Sequence, residues 1–175
     1  MQKVDLKSMT IAELQKFVED LGEKKFRTTQ LYQWMHQKMV KGFASMTNLS
    51  AAFRDKLEEQ AALNGCTMVK RQISADGTNK FLMELSDGNK VESVLMKYHH
   101  GNSVCISTQV GCRMGCRFCA STVGGLNRSL TTGEMLEQIY EVQRITGERV
   151  SNVILMGIGE PLDNYENVVR FIRMI

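Results

Sequence analysis

Apolar positions in the first part of the chain recur with the 3.6-residue period of amphipathic helices. Thr10 and Glu13 stand at capping-box spacing immediately before such a stretch, which predicts a first helix over about 10–21. Two more stretches with this period follow, beginning near Thr29 and Ser50. Residues 1–64 are therefore predicted to form a small helical domain.

The period then changes to that of β-strands. Asp76-Gly77 and Asp87-Gly88 separate runs rich in Val, Ile, Phe, Leu and Met, as the turns of antiparallel hairpins do. The runs predict four strands, near 67–74, 79–86, 90–98 and 102–108. Residues 65–102 thus form a predicted β-hairpin connection between the helical domain and the rest of the chain.

From residue 103 onward, the predicted elements follow the order of a βα series. A strand over 104–108 leads into a cysteine-containing loop, and a helix opens at Thr131 with Glu134 at capping-box spacing. A buried strand is predicted over 152–156. Residues 103–175 therefore predict the start of a (β/α) barrel, and the fold class is α/β.

The last predicted helix carries an apolar face that nothing in the chain is predicted to cover. Asp163 is the predicted cap of this helix, and its face comprises Val168, Val169, Ile172 and Ile175. A complete barrel of this kind needs at least ~200 residues. We therefore expect an N-terminal fragment with a truncated, partial barrel.

The composition and the distribution of apolar residues argue against a secreted or membrane-spanning protein. Hydrophobic residues make up 43% of the chain and charged residues 23%, which is typical of globular domains. The N-terminus lacks the apolar core of a signal peptide and no apolar run is long enough to span a bilayer, so the prediction is a cytoplasmic protein without membrane contact. The net charge of +3 permits a nucleic-acid partner without requiring one.

Cys112, Cys116 and Cys119 form a C-x3-C-x2-C motif in a glycine-rich loop. Such a short loop can place three thiolates at three corners of a [4Fe-4S] cluster and leave the fourth iron open to a ligand. Structural zinc sites close four ligands, usually with a second pair of Cys or His residues, and no such pair follows here. Zinc binding and unliganded buried thiols stay open as alternatives.

A second motif, Met-Gly-Ile-Gly-Glu-Pro at 156–161, directly follows the predicted buried strand. Glycines such as Gly159 allow backbone to approach a ligand closely, and the carboxylate of Glu160 can accept hydrogen bonds from an amino group. Alone, Gly-x-Gly after a strand is also typical of an ordinary tight turn.

Together these motifs resemble known sequences. The cysteine spacing, with Phe118 before the last cysteine, resembles the signature of the radical S-adenosylmethionine (SAM) superfamily. The flanking stretches 91–94, 104–112, 119–122 and 124–128 closely resemble the RlmN/Cfr family, and the resemblance spans nearly the whole chain. It implies that Cys112, Cys116 and Cys119 hold a [4Fe-4S] cluster. It also implies that SAM binds there, in contact with Phe118, Gly159 and Glu160.

The same resemblance implies a function. The implied enzyme is a dual-specificity methyltransferase that acts on C2 of an adenine in 23S rRNA and in tRNA through a methyl-cysteine intermediate. By this resemblance, Cys105 corresponds to the second catalytic cysteine and Glu92 to the proton acceptor. The sequence alone favours a buried thiol for Cys105 and a solvent-facing acid for Glu92. The methyl-carrying C-terminal cysteine is absent, so this chain by itself is expected not to methylate RNA. Pro161 favours the RlmN branch over Cfr-like C8 methylation, which is the alternative enzyme.

The implied partners follow from this chemistry. RNA would be held through its phosphates, for which Lys24, Lys25 and Arg27 are candidates. A low-potential electron donor such as flavodoxin or ferredoxin is implied, and a monomer is expected. An alternative of another class is a zinc-dependent RNA-binding module in which the three cysteines are structural.

Overall fold

The computed structural model describes residues 3–175 and divides into two compact units, the first ending at Asn64 and the second covering Gly65–Ile175. Both helices and sheets are present, so the predicted α/β class is confirmed. No helix among residues 3–175 is long and apolar enough to cross a lipid bilayer.

The first unit is built on three helices. They are α1 (Ile11–Asp20), α2 (Phe26–His36) and α3 (Ala51–Gln60), and the short strands β1 (Val4–Asp5) and β2 (Ala61–Ala62) pair in parallel. The helices bury one apolar core, which includes Leu14, Val18, Leu31, Met35, Phe53 and Leu57. Both hydrogen bonds of the predicted capping box at Thr10 are present. Helix α2 begins three residues before the predicted Thr29, because its first turn has no side-chain cap to mark it.

The second unit contains a five-stranded sheet. Its strands are β3 (Cys66–Ile73), β4 (Asn79–Leu85), β5 (Lys90–Tyr98), β6 (Gly101–Cys105) and β9 (Val150–Ile154), in the order β3-β4-β5-β6-β9. The first four pair antiparallel, as the hairpin turns predicted, and β6 pairs with β9 in parallel. A smaller sheet joins β7 (Gln109–Gly111) to β8 (Leu126–Ser129), and the helices are α4 (Thr132–Thr146) and α5 (Tyr165–Met174).

The two faces of the large sheet differ. Alternate residues of β4 and β5 are buried on the face that packs against α4, where the Ser93 hydroxyl donates to Gln138 Oε1 over 2.9 Å. The residues between them, among which are Lys80, Glu92 and Val94, lie on the opposite face and are at least partly exposed. This open face carries the candidate site.

Two strand predictions were wrong in part. The strand predicted over 102–108 ends at Cys105, because the backbone beyond it bonds to the turn after β9 instead of continuing a ladder. The strand predicted as buried over 152–156 covers Val150–Ile154 and is only half-buried. Among the described residues β9 pairs with β6 alone and is therefore an edge strand.

The predicted last helix is present, but the prediction of its cap was wrong and that of its apolar face was correct only at Val168. A 3-10 turn at Pro161–Asn164 precedes α5, and Asp163 bonds to other parts of the chain instead of capping the helix. The buried apolar residues of α5 are Val168 and Phe171, whereas Ile172 is exposed. The helix rotates this way because α5 packs against α4, which the apolar periodicity alone does not specify.

Candidate active site

A cavity of about 240 Å³ opens on the exposed face of the large sheet. Three sections of chain line it: the sheet with Glu92, Val94 and Cys105, the cysteine loop with Ser121, and the turn after β9 with Met156, Gly157 and Ile158. The structure therefore brings the two predicted catalytic residues together and places them beside the Gly-x-Gly-Glu turn.

Strand register explains why Glu92 and Cys105 meet. Cys105 on β6 is paired with Val94 on β5, and Glu92 lies two residues before Val94 on the same face. The Glu92 carboxylate is 2.7 Å from Lys80 Nζ, and its side chain is 39% exposed. Glu92 therefore reaches the cavity with its carboxylate directed by a lysine on the neighbouring strand.

Cys105 is half-buried in the cavity wall. Burial raises the pKa of its thiol, and a backbone hydrogen bond from Met156 opposes this only in part. The thiol is therefore protonated at neutral pH.

The Gly-x-Gly-Glu turn is fastened to the segment that follows β6. The backbone amides of Thr108 and Gln109 both donate to the carbonyl oxygen of Ile158, over 2.9 and 3.2 Å. The Gln109 side-chain oxygen accepts from the backbone amide of Glu160 over 2.9 Å. These bonds fix the turn at the mouth of the cavity.

Ser107 links the turn to the predicted proton acceptor. Its hydroxyl donates to the backbone carbonyl of Glu92 over 2.7 Å and accepts from the backbone amide of Ile158 over 3.1 Å. Gln138 on α4 holds Ser107 in place by bonding to both its backbone amide and its carbonyl oxygen, each over 2.9 Å. Ser107, Gln109 and Gln138 were not predicted from the sequence. The one local signal is the unbroken polar run 107–109 between apolar residues, and it includes Ser107 and Gln109 but not Gln138.

The two glycines of the turn approach protein rather than open space. A Cβ at Gly157 would lie 2.6 Å from the carbonyl oxygen of Ile106, and one at Gly159 would lie 2.5 Å from Gln109 Cβ. Gly159 also has φ +102, which side-chain-bearing residues rarely adopt. Glu160 uses one carboxylate oxygen to accept from the Leu162 amide over 3.0 Å. The turn is thus shaped for close packing on the preceding segment.

The cysteine loop presents its thiols unevenly. Cys112 is buried, Cys119 is half-buried, Cys116 is exposed, and Phe118 is 95% exposed. Within residues 3–175 no three His, Cys, Asp or Glu side chains are placed together so as to hold a metal ion. The structure therefore brings the three cysteines into one loop without converging their sulfur atoms, and it leaves Phe118 away from the cavity lining.

The donor chemistry of this loop nevertheless fits an iron–sulfur cluster. Three free thiols lie within eight residues, and the other two cysteines, Cys66 and Cys105, lie in strands. The base of the loop is closed by the bond from the Cys112 amide to the Gly125 carbonyl, over 3.1 Å. Three thiolates from one short loop match a cubane that takes three protein ligands.

The predicted phosphate-binding residues lie at the start of α2 in the first unit. Lys24 and Lys25 are exposed. Arg27 is partly buried and donates from Nη1 to Gln30 Oε1 over 2.9 Å and to the Asn48 carbonyl over 3.1 Å. The two lysines are therefore better placed than Arg27 to meet a phosphate.

Comparison with known proteins finds a family match within each of the two units. Residues 4–63 match the family described as ribosomal RNA large subunit methyltransferase N-terminal domain, and residues 106–175 match the radical SAM superfamily. A relative from Lachnoclostridium phytofermentans, named probable dual-specificity RNA methyltransferase RlmN, is 58% identical over 99% of this chain and 49% of its own length. A relative of the same name from Lachnospira eligens is 60% identical over 98% of this chain and 49% of its own length.

A solved structure agrees with these matches. A radical SAM methyltransferase from Sphaerobacter thermophilus superposes with a TM-score of 0.89 at 36% identity, covering 98% of this chain and 51% of that protein. The chain thus spans about half the length of the proteins it matches. The two family matches together cover most of the chain, and the relatives named RlmN align along nearly all of it, so this chain is similar over nearly its whole length to the first half of RlmN proteins.

Proposed function

We propose that this chain supplies the cluster-binding and SAM-binding part of an enzyme that methylates C2 of an adenine in 23S rRNA and in tRNA. The cavity that joins Glu92 and Cys105 to the Gly-x-Gly-Glu turn carries this proposal. The names of the relatives, which specify a dual-specificity RNA methyltransferase, support the choice of substrate.

Cys112, Cys116 and Cys119 would hold the [4Fe-4S] cluster. When bound and reduced, the cluster would supply the electron that cleaves SAM to a 5′-deoxyadenosyl radical. Gly159 and Glu160 would contact SAM from the Gly-x-Gly-Glu turn. The exposed ring of Phe118 is free to cover the SAM adenine. The fixed turn would orient SAM so that no rearrangement of this section of backbone is needed.

Glu92 would accept the proton that leaves C2 of the substrate adenine. A general base must lie within hydrogen-bond reach of that proton, and the cavity wall provides such a position. Lys80 directs the carboxylate, and the Ser107 hydroxyl holds the backbone of Glu92. The base is thus fixed at both its side chain and its main chain.

Cys105 would assist removal of the C2 proton. Its sulfur would then release the product by bonding to the sulfur of the methyl-carrying cysteine, while the bond from that sulfur to the transferred carbon breaks and the carbon keeps the electron pair and takes up a proton. The Cys105 thiol faces the same cavity as Glu92 and is protonated at neutral pH, so a base must take its proton before sulfur can attack. The shared cavity gives both residues access to one substrate atom.

Lys24 and Lys25 would contact RNA phosphates, and a reductant of the flavodoxin or ferredoxin type would deliver the electron. We place the enzyme in the cytoplasm as a monomer. In the proposed domain arrangement, residues 1–64 form the accessory domain, 65–102 the hairpin connection and 103–175 the start of the barrel.

Substitution of Glu92 tests the proposed reaction. We expect a chimaera of this chain with the unmatched part of the Lachnoclostridium phytofermentans relative to form 2-methyladenosine in 23S rRNA fragments and in tRNA. In that chimaera Glu92→Gln should lower the single-turnover rate about 10- to 100-fold, because glutamine cannot accept a proton. The product is measured by mass spectrometry of digested RNA.

Glu84→Gln is the matched control. Glu84 lies on the same sheet and forms a similar lysine pair, 3.4 Å from Lys90 Nζ, but does not line the cavity. Its variant should keep the wild-type rate. Equal losses in both variants would contradict the role of Glu92. With the intact relative as positive control, 8-methyladenosine would indicate a Cfr-like enzyme, and binding of RNA without methylation would indicate the binding-module alternative.

A further inference from the structure

Arg113, inside the C-x3-C-x2-C motif, is bound to the segment that follows the Gly-x-Gly-Glu turn. Its guanidinium donates from Nε to Asp163 Oδ1 over 3.1 Å, and Nη2 contacts the same oxygen. Asp163 lies in the 3-10 turn that begins at Pro161. One residue of the cysteine loop is thereby tied to the turn that would hold SAM.

The acceptor of this contact is itself held rigidly. The second Asp163 oxygen accepts from Gln109 Nε2 over 2.9 Å, and Gln109 is fully buried. The neighbouring Asn164 donates to the carbonyl oxygens of Thr108 and Leu130, over 2.9 and 2.8 Å. The Asp163 side chain is only 10% exposed, so Arg113 meets a carboxylate whose position is already fixed.

The electrostatics favour the contact. Hydrogen bonds from Arg113 and Gln109 hold the pKa of Asp163 below its usual value, so its carboxylate is charged at neutral pH. Charge-assisted bonds from a guanidinium to a carboxylate are stronger and more directional than neutral ones. An exposed arginine gains most from such a contact when its partner does not have to be ordered first.

The loop would otherwise be anchored mainly at its base. The Cys112 amide bonds to Gly125, and the Thr122 hydroxyl bonds to the Cys119 carbonyl over 2.9 Å inside the loop. Neither bond sets the direction in which the loop leaves the sheet. Arg113 does so, because it connects the first half of the loop to a fixed point outside it.

We propose that Arg113 is a positioning residue, which docks the first half of the cysteine loop on Asp163 and so restricts the motion of the loop that carries the three thiols before the cluster binds. This inference rests on the proposed cluster site, and it assigns to Arg113 no contact with substrate. Arg117 of the same loop provides the comparison, because among residues 3–175 it has neither an ion pair nor a side-chain hydrogen bond, and it is exposed.

The first test uses the chain without cluster. Hydrogen–deuterium exchange of the peptide covering 112–119 should be about three- to tenfold faster in Arg113→Gln and in Asp163→Asn than in wild type, as expected for loss of a well-ordered ion pair. Arg117→Gln should match wild type, and Arg113→Lys should recover part of the protection. Equal exchange in Arg113→Gln and Arg117→Gln overturns the inference.

The second test uses the reconstituted chain. Removal of iron by a chelator should be faster in Arg113→Gln by a similar factor of about three to ten, and unchanged in Arg117→Gln. Unchanged iron loss in Arg113→Gln overturns the inference while leaving the cluster site intact. If wild type takes up no iron, the proposed cluster site fails instead, and the exchange experiment still decides whether Arg113 docks the loop.

Discussion

Cys116→Ala should leave the chain unable to retain a [4Fe-4S] cluster, with bound iron falling from about four atoms per chain to nearly none. With one of three thiolates removed, two iron atoms of the cubane lack a protein ligand, and the cluster decays. Cys112→Ala and Cys119→Ala should behave alike. The measurement is anaerobic reconstitution with iron and sulfide, followed by metal analysis and by EPR of the reduced sample with and without SAM.

Cys66→Ala is the control for this experiment. Cys66 is 4% exposed on β3, with its Sγ 3.4 Å from the Met83 sulfur, so alanine changes the number of thiols but not the loop. This variant should keep about four irons and the SAM-dependent change of the EPR signal. Retention of the cluster by Cys116→Ala, or stoichiometric zinc with no iron in wild type, would contradict the proposed site.

Local sequence signals predicted most of the elements. The capping boxes at Thr10 and Thr131 are both formed, and the Asp-Gly turns at Gly77 and Gly88 have φ +83 in each case. Such features depend on hydrogen bonds and backbone angles within a few residues, so the sequence contains all of their determinants. Their positions could therefore be predicted without knowledge of the tertiary fold.

The cap and the buried face of α5 could not be predicted from local signals. Asp163 has the residue type and spacing of a helix cap, but its carboxylate is bound to Gln109 and Arg113, more than 45 positions earlier. The contact with α4 likewise selects Val168 and Phe171 as the buried face of α5. A local preference is overridden here by partners that are distant in sequence.

The candidate site was predicted only in part, and that part came from family resemblance and not from local sequence signals. Glu92 and Cys105 were identified by family resemblance, whereas their residue types alone indicate a solvent-facing acid and a buried thiol. Their meeting in one cavity depends on the register of β5 and β6. The side chains that hold the site, Gln109 and Gln138, are fully buried amides, and polar residues are expected at the surface until their partners are known.

Gly157→Val should be the most destabilising single change in the second unit that we predict. A Cβ at this position would lie 2.6 Å from the Ile106 carbonyl oxygen, 2.7 Å from its carbon and 2.8 Å from the Ser107 amide nitrogen. These are backbone atoms, which cannot rotate away as a side chain can. We expect the free energy of local opening around β6 and β9 to fall by about 3 kcal/mol or more. This is the upper end of the destabilisation that overpacking causes.

Amide exchange of Ile106 provides the measurement, because its N–H donates to the Ile154 carbonyl over 3.0 Å and so reports on the β6–β9 pairing. A loss of about 3 kcal/mol corresponds to exchange roughly 150-fold faster when opening limits the rate. Gly124→Val is the control, since a Cβ there meets no atom within 4 Å and its φ is not positive. Wild-type exchange in Gly157→Val would show that the turn can move away from Ile106. The turn would then not be the fixed support for Glu160 and for SAM that the proposed function requires.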